Sequence, residues 1–357
     1  RRPRQRPPPA RRSPRGQRLP APRHRAGLSL ASRRRTRARA PFSSVFPHSG
    51  SAGLTRPPRT GRKRTRAHEA FSPKIPSHPA ASPPAPVFSK PQPHIQPNPM
   101  PMILQDRTAL VTGASRGVGA EIARQFAREG ARVCVNYLNS RDAAEQVVAE
   151  IAEAGGEAFA WQGDVTDPAQ VDAMVGQVLE RWGRLELIVN NALPAYKFDP
   201  GAPYTRLESV EWSHFESQFG GAVRGCVNTA RAALPAMKSQ GFGKIVNIST
   251  NLVYNPVVTY YDYTTAKAAL IGLTRNLAVE LGPHGVRVNL LAGGLLQTTD
   301  ASATTTPEVF DYIAGTTPLR SVTTVADFAQ SAVMLASDFA NALTGQSISV
   351  DGGLTMP

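Results

Sequence analysis

Cysteine is scarce in this sequence: its 357 residues include only Cys134 and Cys226. Two thiols exclude a disulfide framework, and no Cys/His spacing suited to a metal occurs, so a reducing compartment is expected. No run of about 18 apolar residues exists either, so no helical membrane span is expected. Acidic residues are nearly missing from the first 99 positions, which hold one, Glu69, against 23 Lys/Arg and 21 of the chain's 32 prolines. That stretch carries +22, whereas the other 258 residues carry −7. Such a charge with so much proline buries too little apolar surface to offset chain entropy, so residues 1–101 are expected to be a disordered tail.

Three readings of the tail stand open. Runs such as Arg33–Arg35 and Arg62–Arg66 would neutralise nucleic-acid phosphates, although neither interleaved aromatics nor a nucleic-acid module accompanies them. An organellar transit peptide would also be Arg-rich, Ser-bearing and acid-poor. The third reading is an upstream region that is no part of the working protein, since Met100 and Met102 stand just before the first strand. A cytoplasmic location is expected, or an organellar one if the tail is a transit peptide.

Residues 102–357 suit one large α/β domain. Short β-branched runs predict strands at Thr108–Thr112, Arg132–Asn136, Ala158–Gln162, Leu185–Asn190, Lys244–Ile248, Val286–Leu291 and Ser347–Val350. Apolar residues at helical spacing predict helices near 117–130, 140–154, 168–182, 209–240, 261–282 and 324–337. The alternation predicts a Rossmann-type, doubly wound parallel sheet of seven strands, with ligands past their carboxyl ends.

The first strand runs into Thr112-Gly113-Ala114-Ser115-Arg116-Gly117-Val118-Gly119 and then directly into a helix. Glycines at 113, 117 and 119 allow a tight turn and close approach of a pyrophosphate to the helix amino terminus. The second strand ends Asn136-Tyr137, with no acidic residue before Asp142 to hold a ribose 2′-hydroxyl. Arg116 and Arg141 suit a 2′-phosphate instead, so NADPH is the expected cofactor.

Tyr263 and Lys267 lie four residues apart, one turn along a helix. Carbonyl reduction needs a proton at oxygen while hydride reaches carbon. An ammonium beside a phenol favours the phenolate and would bring its pKa toward neutral. Ser249 and Thr250, at the end of the fifth strand, offer a hydroxyl to orient the carbonyl.

Together these motifs resemble the short-chain dehydrogenase/reductase family, and within it the 3-oxoacyl-[acyl-carrier-protein] reductase-like group, over residues 104 to 357. Asp164-Val165 resembles the pair that contacts adenine, and Asn190-Asn191-Ala192 the stretch that steadies the sheet and lines the cofactor. Thr250, 13 residues before Tyr263, falls at the catalytic hydroxyl; Gly294 and Thr298 resemble the segment that closes over the nicotinamide, and Asp351-Gly352-Gly353 the usual ending. The resemblance implies Tyr263 as general acid, Lys267 holding the nicotinamide ribose and lowering the phenol's pKa, and Thr250, or else Ser249, positioning the carbonyl. It implies cofactor contacts at Gly113, Ser115, Arg116, Gly117, Val118, Gly119, Asn136, Tyr137, Asp164, Val165, Asn191, Ala192, Tyr263, Lys267, Gly294 and Thr298.

Four positions depart from the pattern. Leu193 replaces a Gly, Thr250 a Ser, Gly293 a Pro, and Ala222 stands at the place of an Asn that holds a proton relay. The implied reaction is NADPH-dependent reduction of a 3-oxoacyl thioester, with another ketone or a sugar as the alternative. A member that binds cofactor without turnover is the competing class. The segments Pro194–Glu211 and Asp300–Pro318 are expected to shape the substrate pocket, with Tyr196, Phe198 and Tyr204 lining it or packing the loop. The helices near 209–240 and 261–282 resemble those that form the family's subunit contacts, which implies a homotetramer.

Overall fold

The computed structural model describes residues 102–357 except 195, 197, 200, 298, 300, 301, 303 and 304. The whole of the expected tail and Thr298 therefore lie outside the described residues. Seven strands form one sheet in the order β3-β2-β1-β4-β5-β6-β7, and every pairing is parallel. They are β1 (Thr108–Val111), β2 (Arg132–Tyr137), β3 (Glu157–Gln162), β4 (Leu187–Asn190), β5 (Gly243–Thr250), β6 (Val286–Gly293) and β7 (Ser347–Val350).

Helices α1 (Gly117–Arg128), α2 (Arg141–Glu153) and α8 (Val325–Ala336) contribute to one core, where Ile122, Phe126, Val147, Ile151 and Phe328 meet Val111, Val133 and Val189. Helices α3 (Pro168–Trp182), α5 (Gly225–Gln240) and α6 (Tyr261–Leu281) contribute to a second, around Val171, Met174, Ala233 and Met237. β1 and β4 are buried along their whole length, as their continuous apolar runs require in a sheet covered on both faces. The strand order reverses between β1 and β4, which opens a crevice at their carboxyl ends.

Three differences from the sequence expectation bear on the site. β5 and β6 run two residues further than expected, so Ser249, Thr250 and Gly293 belong to strands. The single helix expected over 209–240 is two: α4 (Trp212–Phe219) and α5, joined by a π-helical turn at Gly220–Arg224. A Cβ on Gly221 would collide with the Pro194 ring, so glycine here lets the chain leaving β4 press on the turn. Finally, α7 (Pro307–Thr316) lies within the pocket-shaping segment Asp300–Pro318, where no helix was expected. Its start signal was present, since Pro307 sits at the first turn where its missing N–H costs nothing.

Candidate active site

The glycine loop is built for close approach. Gly113 has φ +60° and a Cβ there would lie 2.8 Å from Ala192 Cα; one on Gly119 would lie 2.5 Å from the Gly113 oxygen. Gly117, with φ +56°, faces open space. No side chain among the described residues caps α1, so its first-turn N–H groups remain available to an anion. Ser115 is half-buried, Arg116 exposed, and Val118 packs against the core.

Asn191 holds this loop from below: its Nδ2 donates to the oxygens of Thr112 and Gly113 at 3.1 and 3.0 Å. Thr112 Oγ1 accepts the N–H groups of Asn191 and Ala192, a tie that sequence reasoning missed. Asn136 is buried, with Oδ1 taking the Gly113 N–H at 3.2 Å and Nδ2 donating to the Gly163 oxygen at 3.0 Å. Its side chain therefore shapes the loop from within. Tyr137 is buried as well, with the Arg141 guanidinium 6.0 Å from its ring centre. Asp164 caps its own turn by accepting from Thr166 N–H, and buried Val165 receives Asn228 Nδ2 on its oxygen. Gly294 has no room for a Cβ, which would lie 2.9 Å from Asp351 Cβ; at Gly293 the Phe328 ring fills the equivalent space.

Asn190 belongs to a buried polar chain. It donates to Asn247, accepts from Thr229, and Asn247 donates to Thr274, which joins β4, β5, α5 and α6. Such a network fixes the position of α6, the helix that carries Tyr263 and Lys267.

The structure brings Tyr263, Lys267 and Thr250 together at the carboxyl end of β5. The Thr250 hydroxyl, which accepts the Leu252 N–H at 3.3 Å, acts on Tyr263 to favour its ionised form. Lys267 is 4% exposed and donates through Nζ to the Ile248 oxygen at 2.8 Å. Ser249, the other candidate hydroxyl, is committed to the Lys267 carbonyl at 3.1 Å. The chemistry of the phenol differs from the expectation. Burial pushes Tyr263 up to about 12, with the Thr250 hydroxyl pulling the other way, and burial lowers Lys267 to about 8. The Lys267 nitrogen stands 6.0 Å from the Tyr263 ring centre and is aimed at a carbonyl, so desolvation outweighs its charge. Tyr263 thus holds its proton and is not a pre-formed phenolate.

Ala222 lies beside a cavity of about 10 Å³ bordered by Gly221, Cys226 and Lys267. Neither nearby asparagine replaces a side chain there, since Asn228 is spent on Val165 and Asn251 donates to Asp351 at 2.9 Å. Leu193, 36% exposed, leads into the segment over the site. There Tyr196 and Phe198 pack on the Tyr263 ring, and Tyr204 packs on Tyr196, as does Tyr260 just before α6. Asp262, also missed from the sequence, is 2% exposed beneath them.

A family described as enoyl-(acyl carrier protein) reductase matches residues 113–355. The chain belongs to the short-chain dehydrogenase/reductase family. It is 37% identical over 252 residues to the 3-oxoacyl-[acyl-carrier-protein] reductase of Staphylococcus aureus, covering 70% of this chain and 98% of that protein. It is 32% identical over 250 residues to the 7α-hydroxysteroid dehydrogenase of Escherichia coli, covering 70% of this chain and 94% of that one. A solved 7α-hydroxysteroid dehydrogenase complexed with NADH and 7-oxo glycochenodeoxycholic acid superposes with a TM-score of 0.64 at 32% identity, over 71% of this chain and 96% of that one. A gluconate 5-dehydrogenase from Burkholderia cenocepacia, in complex with NADP and tartrate, gives 0.64 at 28% identity, over 71% and 97%. The short-chain reductase fold and family therefore make this chain an oxidoreductase that uses a nicotinamide cofactor and acts on carbonyl or CH–OH groups. Among the described residues no helix is long and apolar enough to cross a membrane.

Proposed function

We propose that the protein is an NADPH-dependent carbonyl reductase, with a 3-oxoacyl thioester as the substrate class that kinship favours. The observation that carries the reaction is Tyr263, Thr250 and Lys267 meeting at the carboxyl end of β5. The cradle of Gly113, Gly117 and Gly119 suits a pyrophosphate, and Ser115, Arg116, Asp164, Val165, Asn191, Ala192, Gly294 and Thr298 complete the proposed cofactor contacts. Bound there, reduced nicotinamide supplies hydride to the carbonyl carbon. Tyr263 gives its hydroxyl proton to the carbonyl oxygen; its raised pKa keeps that proton in place until the oxygen becomes basic. Thr250 orients the oxygen through its own hydroxyl. Lys267, charged below about 8, favours the phenolate left on Tyr263 once its proton has gone to the carbonyl oxygen. NADPH is preferred to NADH because β2 ends in buried Asn136 and Tyr137 without an acid, while Arg116 is exposed on the loop.

One observation favours a second substrate class, a ring ketone. The wall over Tyr263 is aromatic, and the 7α-hydroxysteroid dehydrogenases are among the relatives. The test follows reduced-nicotinamide absorbance with acetoacetyl-CoA and with ring ketones, comparing NADPH with NADH and wild type with Tyr263→Phe. Cofactor binding without oxidation across the panel would favour a non-catalytic member instead. We also propose a homotetramer, cytoplasmic in location, in line with the unpaired buried Cys134 and Cys226. Gel filtration giving only a monomer would count against the assembly. The segment 1–101 is proposed to be dispensable, so deleting residues 1–99 should leave rate and fold unchanged.

A further inference from the structure

A second phenol stands over Tyr263. The Tyr196 ring lies 25° from parallel to the Tyr263 ring, with centres 5.3 Å apart. Tyr204 packs on Tyr196 at 4.9 Å, tilted by 36°, while Phe198 and Tyr260 meet it edge-on at 4.9 and 6.0 Å. Tyr196 thus fills a slot made of rings. Its hydroxyl donates to Asp262 Oδ1 at 2.8 Å, and the same oxygen accepts the Tyr263 N–H at 2.7 Å. The hydroxyl therefore lies at the main-chain end of Tyr263, with the ring over Tyr263's own.

We propose that Tyr196 determines substrate choice by holding the place of a flat group beside the reacting carbonyl, and that the substrate class is an aryl or other flat ring ketone with a hydrogen-bond donor across the ring from the carbonyl. The inference rests on the reading of the site as a carbonyl reductase and, of the two substrate classes proposed above, takes the ring ketone over the acyl thioester. A flat ring entering the slot regains the stacking that Tyr196 gives up. A donor on that ring replaces the Tyr196 hydroxyl on Asp262; without one, a buried carboxylate oxygen loses a partner. A saturated acyl chain does neither. Charge points the same way, since the carboxylates of Asp199 and Asp262 both act on Tyr204 and oppose a phosphorylated carrier at this wall.

The test uses the full chain with saturating NADPH and three probes: 4-hydroxyacetophenone, acetophenone and acetoacetyl-CoA. Wild type should favour the hydroxy ketone over acetophenone by about tenfold or more in kcat/KM, the size of one hydrogen bond to a charged acceptor. Asp262→Ala should bring that ratio close to one, and because it is a ratio within one enzyme, partial loss of folded protein leaves it unmoved. Tyr196→Phe, which keeps the ring and loses the tie to Asp262, should lower KM for both aryl ketones several-fold. A wild-type ratio near one, a preference for acetoacetyl-CoA over both, or an unchanged or raised KM in Tyr196→Phe would overturn the proposal. Dissociation constants of the two aryl ketones in the presence of NADP+, measured by calorimetry, carry the same ratio without turnover. Tenfold tighter binding of the hydroxy ketone, lost in Asp262→Ala, with no oxidation of NADPH would sustain the slot while the reductase reading fails; equal binding would sink the slot.

Discussion

Each end of β5 meets a buried lysine, and the two make a natural comparison. Lys244, at the amino end of the strand, is 2% exposed and donates to the Ser337 oxygen. Lys267, on α6, is 4% exposed and donates to the Ile248 oxygen near the carboxyl end. Burial lowers both to about 8. Their surroundings differ. Lys244 has Asp338, Arg287 and Arg107 nearby and the Phe242 ring at 5.9 Å, a charged lid over the base of the sheet. Lys267 has Tyr263 one turn away and stands at the end of the sheet where the glycine loop opens. A displaced pKa marks burial; the partner phenol and the strand-end location mark chemistry.

The sharpest break of this comparison is at the phenol. Tyr263→Phe is expected to lower kcat by about 10²–10⁴-fold, the range for removing a general acid, with the NADPH dissociation constant changed by only a few-fold in a fluorescence titration. Next comes the lysine pair itself. Lys267→Met should lower kcat/KM by about a hundredfold, whereas Lys244→Met should leave it within about threefold and lower the melting temperature, since the Ser337 carbonyl loses its donor. Equal losses of rate in the two variants would erase the distinction.

A milder effect concerns pH. Reductase rate in wild type should fall as pH rises through about 8, where Lys267 loses its charge, and Lys244→Met should retain that fall. Stability runs the opposite way. Both lysines have folded pKa values depressed below the ordinary 10.5, so the unfolded chain binds more protons between about 8 and 10.5. The stabilising contribution of each is present above that window and is lost as pH falls through about 8. Thermal melts across this range should show a shallower dependence in either lysine variant. The smallest change in stability expected is Gly117→Ala, whose Cβ meets no protein atom and which costs about 1–2 kcal/mol for its left-handed backbone. Gly113→Ala adds a clash with Ala192 and should also weaken NADPH binding, as titration would show.

Much of this was legible before any coordinates. Each expected strand was found, and the glycine loop and the Tyr263/Lys267 pair were visible because their geometry is local. The long helix over 209–240 was misread because its π-helical break packs against Pro194, a contact made outside the helix's own periodicity. Thr250 was preferred to Ser249 only by resemblance; the structure adds that the backbone of α6 claims Ser249, while Thr250 acts on Tyr263. Asp262 looked like one more acidic residue in a helix's first turn, and only its burial beneath Tyr196 reveals it.

By itself, the sequence determined the order of strands and helices, the left-handed turns that need glycine, and a phenol one turn from an ammonium. These follow from backbone sterics and helical periodicity, which act between near neighbours. The tertiary structure alone decided which hydroxyl meets Tyr263, how firmly that residue holds its proton, and which ring lies over it. Those properties come from desolvation and from contacts between distant segments, such as Tyr196 and Asp262, 66 residues apart.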